Sequence, residues 1–326
     1  MDQDLVDIPF EVRRWERNQR VDVFLSKRIS RMSRSLAARL VKTGRVRKEP
    51  GAFGLRPSMK VAEGDVVIVK RKPLVEGPVD AIEIPSIHED ARVLAVNKPG
   101  DLVVHPTASA YHRTLIRILR NRRNEPALDL AHRIDKETSG LLLLARDFEA
   151  ASDLKTQFAQ RRVEKAYLAV VKGRVARDEF VIDLPLRLAD TVTKVMMEPH
   201  PGGGPALTFV RVLARGPDAS LVEARPKTGR QHQIRVHLQQ LGHPILGDKL
   251  YLGGEDFFID ALRGVYEHDE LVTLVGHHRQ ALHAHAATFF HPESGSPMTL
   301  SAPLTPDLIA LCARQAIVAP DGRRAA

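Results

Sequence analysis

Four consecutive leucines, Leu141–Leu144, stand directly behind the run "DKETSG". An apolar run this short, opened by Gly140, reads as a buried strand rather than a helix. The chain must therefore build a sheet with a core around this segment. Asp135 lies at the mouth of that strand, in a stretch with His132, Arg133, Lys136 and Glu137. A carboxylate there suits binding or catalysis, because such groups sit in loops on a rigid scaffold. An Asp in a turn can equally cap its own backbone. Taken alone, the residues leave both readings open.

The chain has 326 residues, enough for two domains, and 43% are hydrophobic, enough for a sizeable core. The one cysteine, Cys312, excludes a disulfide framework and a thiolate metal cluster, and it fits a reducing cytosol. No apolar run reaches membrane-spanning length. The acidic start "MDQDLVDIPF" has no signal-peptide pattern, so the expected location is cytoplasmic, with no membrane partner.

Charge is unevenly placed. Residues 11–72 carry 18 Lys and Arg against 6 Asp and Glu, a net of +12, whereas residues 73–326 balance. This points to a small polyanion-binding domain over 11–72, joined to a larger neutral body. Within it, Val21, Phe24, Leu25 and Ile29 recur at helical spacing. A second helix has Ser33 as its cap, Leu36, Leu40 and Val41 as its stripe, and Gly44 as its stop. A turn at 63–65 leads into a strand over 66–69. Two basic helices with a small sheet resemble the RNA-binding module named after ribosomal protein S-four, across roughly residues 18–71. The resemblance implies RNA binding, with Arg20, Arg31, Arg34, Lys42 and Arg45 as the expected contacts. The stretch "VRKEPGAFG" departs from that module's usual Val-Asn-Gly, so its loop contacts are not carried over.

Proline and acidic residues mark a linker over 73–86. A second domain is expected over 87–310 and a tail over 311–326. Its pattern alternates strands ("ARVLAVNKPGDLVVHP", "EKAYLAVVKGRV", "ALTFVRVLAR", "ASLVEARP") with helices over "HRTLIRILRNRR" and "DFEAASDLKTQFAQRR". A further helix has Ile234, Leu238 and Leu241 on one face and Gly242 at its end. This predicts an α+β fold with a mixed, largely antiparallel sheet and flanking helices. There is no phosphate-binding loop motif and no dinucleotide-binding glycine motif. "PGGGP" (Pro201–Pro205) reads as a flexible hairpin tip. His277, His278, His283 and His285 lack a second cluster with ligand spacing, so no metal is expected. The alternation in "ALHAHAATFF" reads as a strand.

"NKPGDLVVHP", "HRIDKETSGLLLLARD", "EKAYLAVVKG", "TGRQHQIRVHLQQLGHPILGDKLY" and "RQALHAHAATFFHP" occur in that order. The ordered set resembles the RluA family of pseudouridine synthases, over about residues 87–310. The resemblance implies that Asp135 is the catalytic residue, that Arg133 displaces the target base and that Tyr167 stacks on the uracil. It also implies that Arg235 pairs with Asp135 and that Ile234 packs beside the base. His132, Arg230 and Lys98 are further expected substrate contacts; taken alone, His132, His105 and His232 read as structural hydrogen-bonders, and Lys98 as a turn or phosphate contact. Ile134 replaces the commoner Leu, a change that conserves volume. The N-terminal module is common in the branch acting on large-subunit ribosomal RNA, which is therefore the expected partner of a monomeric, cofactor-free enzyme.

The chemistry fits these residue types. The base–ribose bond to nitrogen breaks, the uracil turns, and ribose joins a ring carbon, with no net redox change. A carboxylate can attack or stabilise an electron-poor sugar or base and then move a proton. A neighbouring cation keeps it ionised. Three other readings stand beside this one: a tRNA pseudouridine synthase, a non-catalytic ribosome-assembly protein, and a nucleosidase or glycosidase. The last would normally need a second paired carboxylate.

Overall fold

The computed structural model describes residues 6–29, 32, 34–51, 54–71, 79, 81–106, 110, 113–262 and 264–317. Ser33, Arg31 and half of the expected linker over 73–86 lie outside them. The chain divides into two compact units, residues 1–79 with 105–114, and residues 80–104 with 115–326.

The first unit contains β1 (Val6–Glu11), a 3-10 turn (Arg14–Glu16), α1 (Val21–Arg28), α2 (Arg34–Lys42), β2 (Val46–Glu49) and β3 (Val66–Arg71). The strands form an antiparallel sheet in the order β1-β3-β2. Val21, Phe24 and Leu25 of α1 meet Ala37 and Val41 of α2 over Val67 and Val69, as the helical spacing requires. Strand β1 begins ahead of the expected boundary at residue 11. Pro9 within it breaks the strand signal, and an edge strand is where a sheet tolerates proline.

The second unit continues with β4 (Ser86–Glu89), β5 (Val93–Lys98), α3 (Leu115–Arg123), β6 (Asp129–Leu130), β7 (Ser139–Ala145), α4 (Phe148–Ala159), β8 (Glu164–Lys172) and β9 (Glu179–Asp183). Then come β10 (Leu186–Leu188), β11 (Met197–Pro199), β12 (Leu207–Arg215), β13 (Ala219–Pro226) and α5 (Gln233–Gln240). The last elements are α6 (Glu255–Leu262), α7 (His268–Val275), β14 (Leu282–Phe290), β15 (Pro297–Ser301) and α8 (Pro306–Arg314). Ten strands form one sheet along β4-β5-β7-β14-β8-β13-β12-β9, with β15 on β14 and β6 on β7. Its only parallel pair among the described residues is β7 with β14. The mixed, largely antiparallel α+β architecture expected from the sequence is the one observed. All seven residues of β7 are buried, so the leucine run has both faces covered. Among the described residues, no helix is long and apolar enough to cross a membrane.

Three local expectations are corrected. Leu241 is 45% exposed, because α5 stops at Gln240 and the capping residue turns off the stripe that buries Ile234 and Leu238. Residues 311 onward do not begin as a tail: Leu308, Leu311 and Cys312 of α8 are core residues. "PGGGP" is not a loose tip. Gly204 pairs back onto Leu186, and a Cβ on Gly203 would lie 2.6 Å from the Leu186 carbonyl carbon.

Gly140 makes the seam between β7 and β14 possible. Its φ is +110°, and a Cβ there would approach the Ala284 carbonyl oxygen to 2.2 Å. Gly140→Ala should therefore cost more than about 2 kcal/mol through strain and overlap together. Urea unfolding measures this; an unchanged midpoint would mean that the seam can shift to admit the methyl group.

Candidate active site

Arg235 organises the site. It projects from α5 with 8% exposure and makes a fork on Asp248, Nε donating to Oδ2 at 2.6 Å and Nη2 to Oδ1 at 2.9 Å. Its remaining nitrogen, Nη1, donates to Asp135 Oδ2 at 3.0 Å. Asp248 is buried, and its Oδ1 also accepts the backbone N–H groups of Leu250 and Tyr251. The guanidinium lies 5.0 Å from the Tyr251 ring centroid. Two nitrogens of the cation are thus fixed on Asp248, and the third, Nη1, is aimed at Asp135.

Burial works against ionisation of Asp135. The charge of Arg235, joined in acid by that of a protonated His232, and hydrogen bonds from Arg235 and Gln280 override it and hold the carboxyl below the usual range. The side chain keeps 38% of its surface open to solvent, so substrate can reach it. His232 Nε2 stands 3.9 Å from Asp135 Oδ2. Burial and then Arg235 push the His232 pKa down to about 4, so the imidazole is neutral at pH 7. Its Nδ1 is 2.9 Å from the Tyr251 hydroxyl, which already accepts from Met197 N. Donation from Tyr251 to Nδ1 assigns the imidazole proton to Nε2, facing the carboxylate.

Tyr167 lies on β8 with alanines as cross-strand neighbours, Ala224 on β13 and Ala284 on β14. Small neighbours leave space beside its ring. Burial, then the charge of Asp135, raises its pKa to about 12. The ring is thus a neutral phenol within the field of the carboxylate. The start of α5 is fixed by Gln233, which accepts from Thr228 Oγ1 and Arg230 N and donates to Leu207 O and Thr208 Oγ1.

The family model described as RNA pseudouridylate synthase matches residues 92–240. The ribosomal large subunit pseudouridine synthase D of Zymomonas mobilis is 34% identical over 301 residues, 89% of this chain and 91% of the relative. The chain belongs to the RluA family of RNA pseudouridine synthases. The ribosomal large subunit pseudouridine synthase C of Haemophilus ducreyi is likewise 34% identical, over 92% of each chain. The structure of human RNA pseudouridylate synthase domain containing 1 superposes with a TM-score of 0.56 and 29% identity. It covers 72% of this chain and 89% of that one. This RluA-family protein is accordingly an isomerase acting on RNA.

Within this synthase the expected site residues separate into groups. Asp135 and Arg235 are in contact, and Tyr167 lies within the electrostatic reach of Asp135. Ile234 is 7% exposed and packs in the core cluster that Tyr167 borders. Arg133 and Arg230 are exposed; Arg230 Nε reaches the Pro205 carbonyl at 3.3 Å. His132 is corrected from substrate contact to loop anchor. Its Nε2 accepts from Leu143 N at 3.1 Å, its ring stacks on Phe158, and burial, then Lys165, lowers its pKa to about 3. His105 falls in the 105–114 segment of the first unit. Asp248, Tyr251 and Gln280 were not singled out by sequence reasoning, although "GDKLY" and "RQALH" carry them.

In the first unit, Arg20 and Arg34 both donate to the buried Asp22, which accepts Arg20 Nη2 at 2.9 Å and Arg34 Nε at 3.2 Å. Lys42 and Arg45 are exposed, and Arg31 lies outside the described residues. His277, His278 and Asp307 come close enough to hold a metal ion, with Asp307 supplied by α8. The same Asp307 oxygen accepts Arg279 Nε at 2.7 Å, so this carboxylate is the counter-ion of a buried guanidinium.

Lys98 is the second correction. It is fully buried, and Nζ donates to the carbonyls of Pro99, Leu102 and Lys136 at 2.8, 2.8 and 2.9 Å. Burial, then Arg279, lowers its pKa to about 7, while three acceptors match the three donors of an ammonium. None is left for a phosphate; instead Lys98 ties the Asp135 loop to β5. Lys98→Met should cost about 3 kcal/mol, since unsatisfied buried carbonyls cost about 1–3 kcal/mol each. The salt dependence of RNA binding should not change. A flatter salt slope with unaltered melting would restore the phosphate contact.

Proposed function

We propose that this enzyme converts uridines of large-subunit ribosomal RNA to pseudouridine, with Asp135 as its catalytic carboxylate. The names and similarity of the curated relatives support the choice of RNA. The observation that carries the catalytic assignment is the hydrogen bond from Nη1 of the anchored Arg235 to a solvent-accessible Asp135. In this reading residues 11–72 form the RNA-binding domain and the second unit is the catalytic body. The site of action is the cytoplasm, the protein works as a monomer, and the redox-neutral reaction needs no cofactor.

The target uridine leaves its stack, which costs a few kcal/mol, so that its base can enter the pocket. Arg133, exposed beside Asp135 in sequence, fills the vacated place. Tyr167 stacks on the uracil, a contact worth about 1–3 kcal/mol. Asp135 attacks or stabilises the reacting sugar or base while the bond from C1′ to N1 breaks. The base turns, C1′ bonds to C5, the C5 proton leaves for solvent, and the freed N1 takes up a proton from solvent, so that the product is an isomer of the substrate. Arg235 keeps Asp135 ionised, and Asp248 keeps Arg235 in place.

Asp135→Asn keeps the volume and the acceptor oxygen of a turn cap but removes the charge and the nucleophile. The variant should fold and bind ribosomal RNA yet release no tritium from uridine labelled at C5. Wild-type tritium release from a folded, RNA-bound variant would end the catalytic assignment.

The field around Asp135 also sets a pH dependence. Its folded pKa is depressed, so the carboxylate persists as pH falls through the ordinary value of about 3.9 and is lost only below it. Arg235→Gln removes the largest stabilising charge, so the acid limb of the rate should move to higher pH. Melting curves recorded at each pH separate this from unfolding, which the unpaired Asp248 promotes. An acid limb that stays in place, with the variant folded, would show that Arg235 does not hold Asp135 ionised.

A further inference from the structure

Trp15 is the chain's one tryptophan, and it is 72% exposed. It rides on the 3-10 turn Arg14–Glu16, which is fastened on both sides. Before the turn, Val12 is buried; its N–H donates to Asp65 O at 2.8 Å, and its carbonyl accepts from Gly64 N at 3.0 Å. After it, Asn18 N donates to Val61 O and Val61 N donates to Gln19 O, at 2.8 and 2.9 Å. Glu16 within the turn accepts Arg28 Nη1 at 3.1 Å, which ties it to α1. The indole is therefore presented by an anchored element.

Its surroundings are cationic. The Arg13 guanidinium lies 5.4 Å from the ring centroid, and Arg13, Arg14 and Arg17 are exposed. Four arginines and one glutamate occupy residues 13–20. An apolar side chain exposed singly is ordinary. Here the exposed group is a large π-surface on a fastened turn, with the Arg13 guanidinium against it, exposed Arg14 directly before it in sequence and exposed Arg17 one residue beyond the turn. The core of a protein–protein interface is depleted of charge, which this surface is not. Sequence-tolerant single-strand binding combines these same elements, an aromatic face for the base and cations for the backbone.

We propose that Trp15 is a stacking platform for an unpaired nucleobase, with Arg14 and Arg17 on the flanking phosphates. This rests on the reading of the chain as an RNA-modifying enzyme, and adds a site separate from the one that holds the target uridine. The ligand class is a single-stranded RNA segment. In a duplex the bases are stacked on one another, and recognition there runs through shape and the sugar–phosphate backbone.

The sole tryptophan makes the test direct. The full-length protein is excited at the red edge, where tyrosine does not absorb, and titrated with a single-stranded RNA 12-mer or with its fully paired duplex. The single strand should quench Trp15 strongly and the duplex weakly. Trp15→Leu should raise the Kd for the single strand roughly tenfold, the effect of losing one stacked base. It should leave the duplex Kd, the melting temperature and the salt slope unchanged, since no cation is lost. Trp15→Phe should recover most of the affinity. Equal quenching by both RNAs, a silent fluorophore, or an unaltered Kd for Trp15→Leu would overturn the proposal; a silent fluorophore alongside intact RNA binding and tritium release would point to a protein occupant. A wild-type protein that neither binds RNA nor releases tritium would remove the proposed function as well.

Discussion

The site depends on how one guanidinium is shared between two carboxylates. Asp248 takes two nitrogens of Arg235 and Asp135 takes the third. The two carboxylates differ in surroundings: Asp248 is sealed and further anchored by two backbone N–H groups, and Asp135 is open to solvent. Removing one partner of a buried pair costs about 3–5 kcal/mol, so the fork on Asp248 is the stable half. The contact to Asp135 is then presented by a fixed donor, and the carboxylate keeps its remaining lone pairs open to solvent.

Neutral groups complete the arrangement. His232 and Tyr251 are held in their uncharged forms by burial and form a hydrogen-bonded pair beside the ions. Tyr251 also offers its ring to Arg235. Without a second mobile charge near Asp135, the local field is set by Arg235. Lys98 acts on the same loop from beneath, through the carbonyl of Lys136.

Much of this was legible in the residues. The leucine run is too short for a helix, and it is a strand buried on both faces. The helix carrying Arg235 was readable from Ile234 and Leu238. The pairing of Arg235 with Asp135 came from the ordered motifs and not from spacing, since 100 positions separate the two. What escaped depended on long-range burial. Lys98 in "NKPG" looks like a surface turn until the Lys136 carbonyl closes over it. Asp248 in "GD" reads as a turn former. For α8 a local signal did exist, with Pro306 in the first turn and Leu308, Leu311 and Cys312 at helical spacing.

Strand β14 is the seam of the large sheet. On one side lie β4, β5, β6 and β7, with the Asp135 loop; on the other lie β8, β13, β12 and β9, with Tyr167. Both inner edges bond to β14 and not to one another. A growing chain therefore makes each half of the sheet well before it makes the strand that joins them. Apart from β14, the Asp135 loop and Tyr167 sit on sets of strands joined by side-chain bonds such as Arg235 to Asp135 rather than by a ladder. Strand β14, late in the order of the chain's elements, thus supplies the backbone ladder that unites the two sets of strands.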